Sequence, residues 1–249
     1  MGKVYRFGAG NLYAIDNSVV VPSPVKFGTL QEVSQEYSFS EKELYGTYQY
    51  PDAVVRAQGK ITCKAKMAQI KGDVLGGLFF GVTPATGQIL PVTGELGTIP
   101  ATPGPYTLTV AHATGYRTNL GVIFQTTGAP LARVDSAPAA GQYSLVVATG
   151  IYTFAAADQG KAVKFDYLYT SALAGKTITI VNQEQGISPS FSAVIHGTFD
   201  GKSVVQILNR CRSSKLTFPY KSGGFGVPEF DFSASADDAD EIGTMSFPE

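Results

Sequence analysis

Apolar and polar residues alternate from Val33 to Phe39. Val33, Tyr37 and Phe39 fall on one side, Glu36, Ser38 and Ser40 on the other. A period of two marks a half-buried strand. The same period runs from Ala57 to Met67. Ile61, Cys63, Ala65 and Met67 share one face; Gln58, Lys60, Thr62, Lys64 and Lys66 share the other. The two runs are expected to pair as a hairpin with the lysine face near Glu36. Between them lies EKELYGTYQYPDAVVR, too long for a tight turn. It is also unusually apolar for a loop, with Leu44, Tyr45, Tyr48, Tyr50, Val54 and Val55. Two readings stay open: the segment folds back onto its own domain, or it docks onto another subunit.

At Met67 the period changes. Met67, Ile70, Val74, Leu75, Leu78 and Phe79 line one face of a helix predicted over roughly 67–80. Gly72, Gly76 and Gly77 weaken it by about 1 kcal/mol each relative to Ala, so it needs packing, and Gly81 suits its stop. Residues 83–105 are dense in Pro, Gly and Thr, a linker signature. Short strand-like runs follow: YTLTV, NLGVIF, QYSLVVA, IYTF and AVKFDYLYT. They predict a β insert over about 92–172 within a larger domain made of 1–91 and 173–249. Alternation then returns. Ile178 and Ile180 share a side; Phe191, Ala193, Ile195 and Phe199 form a second face; Phe230, Phe232, Ala234 and Ala236 point inward. Gly201 marks a tight hairpin turn, and KSGGFG a flexible loop. The fold class is mainly β: a sandwich or barrel with one flanking helix, a long extended loop or hairpin at about 41–56, and an inserted small β domain.

Composition agrees. The 249 residues include 28 Gly, 13 Tyr and 15 Phe, with no Trp, a turn-rich aromatic mix that suits many short strands. Net charge is −1, so no global basic field gathers nucleic acid. The N-terminus lacks the apolar core of a signal peptide, and VLGGLFFGV is too short to span a bilayer. The expectation is synthesis in the cytoplasm and no membrane partner.

Candidate chemistry is sparse. Cys63 and Cys211 form no disulfide framework and read as small buried hydrophobes. With His112 and His196 they have no zinc-ligand spacing. No nucleophile elbow, phosphate loop or zincin motif is present, and no cofactor is implied. The closing DADEIGTMSFPE matches a calcium loop except at Ile242. However, a strand-like run precedes it and no helix flanks it. The competing reading makes Asp237, Asp238, Asp240 and Glu241 a polar hairpin loop with IGTMSF as the returning strand. The Lys60, Lys64, Lys66 stripe reads either as a solvated face balancing Glu36 and other acids or as an inter-subunit charge surface.

The runs FGTLQEVSQEYSFSEKELYG, YPDAVVRAQGKITCKAKMAQIKGDVLGGLFFG and GIYTFAAADQGKAVKFDYLYT, and the closing LNRCRSSKLTFPYKSGGFGVPEFDFSASADDADEIGTMSF, resemble tail tube proteins of tailed bacteriophages. The resemblance implies a non-enzymatic virion protein. It would assemble with itself into rings stacked as a tube for DNA passage and join other tail proteins in the virion tail. It places the inter-ring element at 41–56, with Leu44, Tyr45, Tyr48, Tyr50, Val54 and Val55 as contacts. The insert at 92–172 departs from the simplest tube proteins; facing outward it would be an external decoration, and facing elsewhere it would count against the resemblance. A sliding genome calls for an acidic or neutral lumen, with Glu229, Asp231 and the turn around Asp238 as candidates. Two alternatives are a capsid decoration or stabilising protein and a carbohydrate-binding β-sandwich module, in which Tyr would replace the usual Trp.

Overall fold

The computed structural model describes residues 8–18, 21–69 and 71–248. Ile70 of the predicted helix and Glu249 of the calcium-loop match lie outside them. In chain order the strands are β1 (Asn11–Asp16), β2 (Val25–Lys26), β3 (Leu30–Tyr45), β4 (Pro51–Met67), β5 (Ala85–Thr98), β6 (Thr107–Thr109), β7 (Tyr116–Phe124) and β8 (Ala132–Arg133). They continue as β9 (Gln142–Val146), β10 (Ile151–Phe154), β11 (Ala162–Thr177), β12 (Phe191–Phe199), β13 (Lys202–Thr217), β14 (Glu229–Ser235) and β15 (Gly243–Ser246). The protein is mainly β, and among the described residues one short helical segment exceeds a single turn. The chain divides into two compact units: Ala85–Thr177, and everything before and after it.

In the first unit the sheet order is β2-β1-β12-β13-β14-β4-β3, with β15 also on β13. All its pairings are antiparallel. Alternation decides its faces. Cys63, Ala65 and Met67 are buried, and so are their neighbours Phe230 and Phe232 on β14 and Phe191, Ala193 and Ile195 on β12. Ring pairs close this core: Phe27–Phe230 at 5.4 Å, Phe191–Phe232 at 5.5 Å and Phe230–Phe232 at 5.9 Å. Each fully buried large side chain contributes about 1.5–3 kcal/mol before entropy is counted. The sheet curls, so that Val33 and Tyr37 of β3 face Ile195, Val204 and Gln206 of β12 and β13 across a cleft.

The helix is shorter than the 67–80 predicted. Met67 ends β4, paired with Leu30 and 1% exposed. The helical segment covers α1 (Gly72–Leu75) and a continuing π-helical turn, Gly76–Phe80. It buries Val74, Leu75 and Leu78. Gly81 ends it in the left-handed conformation, φ 64°, where a side chain would be strained. The predicted strand through Ile178 and Ile180 is absent; residues 178–190 are irregular and Ile180 is exposed. The β12–β13 turn forms as expected, with Phe199 opposite Lys202 and positive φ at Asp200 and Gly201, the pattern of a two-residue hairpin turn.

The second unit packs a three-stranded sheet, β5-β11-β7, and a four-stranded sheet, β6-β10-β9-β8. The sequence reading set its limits at 92 and 172. The compact unit starts at Ala85 and ends at Thr177, which are paired with each other. The 83–105 linker is thereby corrected: residues 85–98 form β5. Pro91 is accommodated because β5 is an edge strand, where a missing N–H costs little. The core holds Tyr143, Tyr152, Phe154, Val163, Phe165 and Tyr167. The Tyr152 hydroxyl, its phenol fully enclosed, bonds Tyr116 at 2.8 Å and donates to Asn119 at 3.0 Å. Burial, then the Tyr116 bond, pushes its pKa well above the ordinary phenol range.

Candidate functional site

The segment 41–56 is the far half of a hairpin. β3 and β4 stay paired out to Tyr45 and Pro51, so only Gly46–Tyr50 turns. The expected long loop is therefore two strands. β14 stops pairing with β4 at Ile61. Beyond that point the last ten residues of β4, roughly 33 Å at the usual strand rise, pair only with β3 as an outer ribbon, while β13 runs on to Lys202 paired with β12 and β15. Register explains the missing alternation. Glu43 sits opposite Val54, Lys42 opposite Val55 and Leu44 opposite Ala53. Opposite residues share a face, so apolar groups stand on both faces. All six predicted contacts are exposed: Leu44, Tyr45, Val54 and Val55 at 52–66%, Tyr48 and Tyr50 at 82%. The Tyr45 hydroxyl donates to Glu43. At the root of the outer ribbon Phe39 lies over Gly59, and the Arg56 guanidinium sits 4.6 Å from its ring centre.

Beside that root, β15 and β4 leave a cleft of about 530 Å³, lined by Phe39, Ile61, Ile207, Ile242 and Met245 among others. It exists because the acidic segment is not a hairpin. β14 and β15 both pair with β13 in the same direction, Ser235 opposite Arg210 and Gly243 opposite Leu208. The chain leaves the sheet at 236 and rejoins the same edge at 243. Asp237 closes the excursion. Its carboxylate accepts the backbone amides of Ala239 and Glu241 at 2.9 and 3.0 Å and the Asn209 side-chain amide at 2.8 Å. The Glu241 amide bond, more than any other contact, holds its pKa below the ordinary range. Asp238 pairs with Arg210 at 2.7 Å. Among the described residues no three His, Cys, Asp or Glu side chains gather as a metal-binding group.

The lysine stripe lies in cross-strand rows. Lys66 stands between Glu32 and Glu229; Lys64 between Ser34 and Asp231; Lys60 opposite Ser38. Lys66 bonds Glu32 at 2.6 Å, and Lys64 is 3.9 Å from Glu229. The Lys66 bond lowers the Glu32 pKa and raises that of Lys66. Lys215 also pairs with Asp231. The face mixes both signs: Glu32, Glu36, Glu229 and Asp231 stand against Lys60, Lys64, Lys66, Lys215 and Arg212, the last in the Thr62–Ser233 row.

Cys63 and Cys211 are buried, which pushes both thiols up to about 12. A protonated thiol is a poor nucleophile and metal ligand. His112 stacks on Tyr169 at 3.9 Å between ring centres. The His196 Nε2 is 3.5 Å from the Ser203 hydroxyl. No described helix is long and apolar enough to cross a membrane. Sequence reasoning missed the aromatic character of the β13–β14 connection, residues 218–228. Tyr220 and Phe225 there are each 96% exposed; the signal was three rings, with Phe218, in a Gly- and Pro-rich connection. No protein-family model matches the chain, and no curated protein matches it.

Proposed function

We propose that the chain is a structural, non-enzymatic virion protein: the tail tube subunit of a tailed phage. It is made in the host cytoplasm. It assembles with itself into rings, the rings stack, and other tail proteins complete the conduit for DNA. The outer β3–β4 ribbon, which among the described residues pairs with no third strand, carries this reading. A ribbon with solvent on both faces is marginal by itself, and its exposed Tyr, Leu and Val side chains gain burial only against another molecule.

Two further features support it. Among the described residues the sheet order leaves β3, sixteen residues long, as an edge strand. Such an edge is a hazard in a monomer and a pairing surface in a ring. The face of β3, β4 and β14 interleaves four carboxylates with three lysines, a mixed surface that would not grip a sliding phosphate backbone strongly.

The test is negative-stain electron microscopy of the sized protein across a concentration series. Rings or hollow tubes support the proposal. Protein that stays dispersed yet decorates capsids or retains on glycans replaces it with the decoration or carbohydrate-binding reading.

A further inference from the structure

We infer that the β13–β14 connection, residues 218–228, is the surface that receives the β3–β4 tip of a second copy. The inference rests on the stacking proposed above and names its receptor.

Register puts the two elements at opposite ends of one sheet. β14 begins at Glu229, beside Lys66 and opposite Thr217. The Met67 amide donates to the Pro228 carbonyl at 3.0 Å. The connection therefore sits at the inner end of the hairpin. The tip lies sixteen residues of β4 away, about 50 Å along the strand path. Each end presents exposed rings: Tyr48 and Tyr50 at the tip, Tyr220 and Phe225 at the connection. Tyrosine and phenylalanine offer large contact area at low entropic cost, which is why such rings anchor interfaces.

Charge selects the pairing of unlike ends. Residues 41–56 carry Glu41, Glu43 and Asp52 against Lys42 and Arg56, a net of −1. Residues 218–228 carry Lys221 and no carboxylate. Tip against tip juxtaposes like charge; tip against connection does not. Two different patches at opposite ends make a heterologous contact, which repeats from copy to copy. An antiparallel two-fold pair would bring the same patches together but would stop at two copies. The stacking proposed above requires the repeating arrangement, because a two-fold pair cannot continue a tube.

The experiment places one cysteine at each end, Tyr48→Cys with Phe225→Cys, in the full chain. The native thiols are buried and stay silent. Mild oxidation after assembly, read on a non-reducing gel, is expected to give a ladder extending past the dimer that neither single variant gives. Tubes without the ladder overturn the receptor while leaving the tube reading intact. A band that stops at the dimer overturns head-to-tail stacking. Wild-type protein that never assembles overturns both. If the paired cysteines block assembly, Lys221→Glu is the second readout. It is expected to raise the concentration needed for assembly several-fold at low salt, with the difference shrinking at high salt. Assembly unchanged by Lys221→Glu overturns the charge pairing.

Discussion

The side-chain amide of Gln206 on β13 donates a hydrogen bond to the hydroxyl of Tyr37 on β3, joining residues 169 positions apart. Gln206 is 4% exposed, and Tyr37 stands at the root of the outer ribbon, opposite Ile61. The bond ties the hairpin's base across the curled sheet. Tyr37→Phe leaves a buried donor unpaired, at a cost of about 1–3 kcal/mol. Amide hydrogen exchange along β13 is expected to speed up accordingly. Protection unchanged by the substitution contradicts this role.

Gly76 sits where a side chain has no room. A Cβ built there would stand 2.4 Å from Cγ of Pro84 and 2.9 Å from the Val82 carbonyl oxygen. Helix propensity alone favours Ala by about 1 kcal/mol. Overpacking typically costs about 1–3 kcal/mol, so the clash decides the sign. Gly76→Ala is expected to lower the denaturation midpoint, and a raised midpoint contradicts the packing described.

The two thiols give a chemical check on the core. With pKa values pushed up to about 12 by burial, neither is ionised near neutral pH. A thiol-specific reagent at pH 8 is expected to label neither cysteine in native protein and both in denaturant. Rapid native labelling would place one of them at the surface.

Acid should loosen the 236–242 excursion before it unfolds the sheet. The folded-state pKa of Asp237 is lowered. Its contribution is therefore complete above the ordinary aspartate range and is lost as pH falls through the lower folded value. The amides of Ala239 and Glu241, monitored by NMR during acid titration, are expected to report the change together. In Asp237→Ala that step disappears. Amides that do not respond to pH contradict the carboxylate's role.

Much of the first unit was legible because burial imposes a period. Cys63, Ala65 and Met67 alternate with lysines since one face meets Phe230 and Phe232. The outer hairpin hid its strands for the opposite reason. With no core beneath it, Val54 and Val55 stand on opposite faces and nothing enforces alternation. Its apolar surplus was still visible, so the candidate contacts could be named while their geometry could not. The helix was drawn too long because Met67 satisfies both periods. β5 was hidden by Pro91 and its glycines, which edge pairing tolerates. The acidic segment looked like a hairpin because turn residues signal departure from a strand without specifying which edge the chain rejoins.

The measurement that tests the central claim most directly is negative-stain microscopy of wild-type protein beside Tyr45→Asp/Tyr50→Asp. Both side chains are exposed, at 56% and 82%, so the variant is expected to keep the wild-type circular dichroism and remain a monomer. The account predicts rings or tubes from wild type above a threshold concentration and none from the variant. Tubes from both proteins at the same threshold would contradict it.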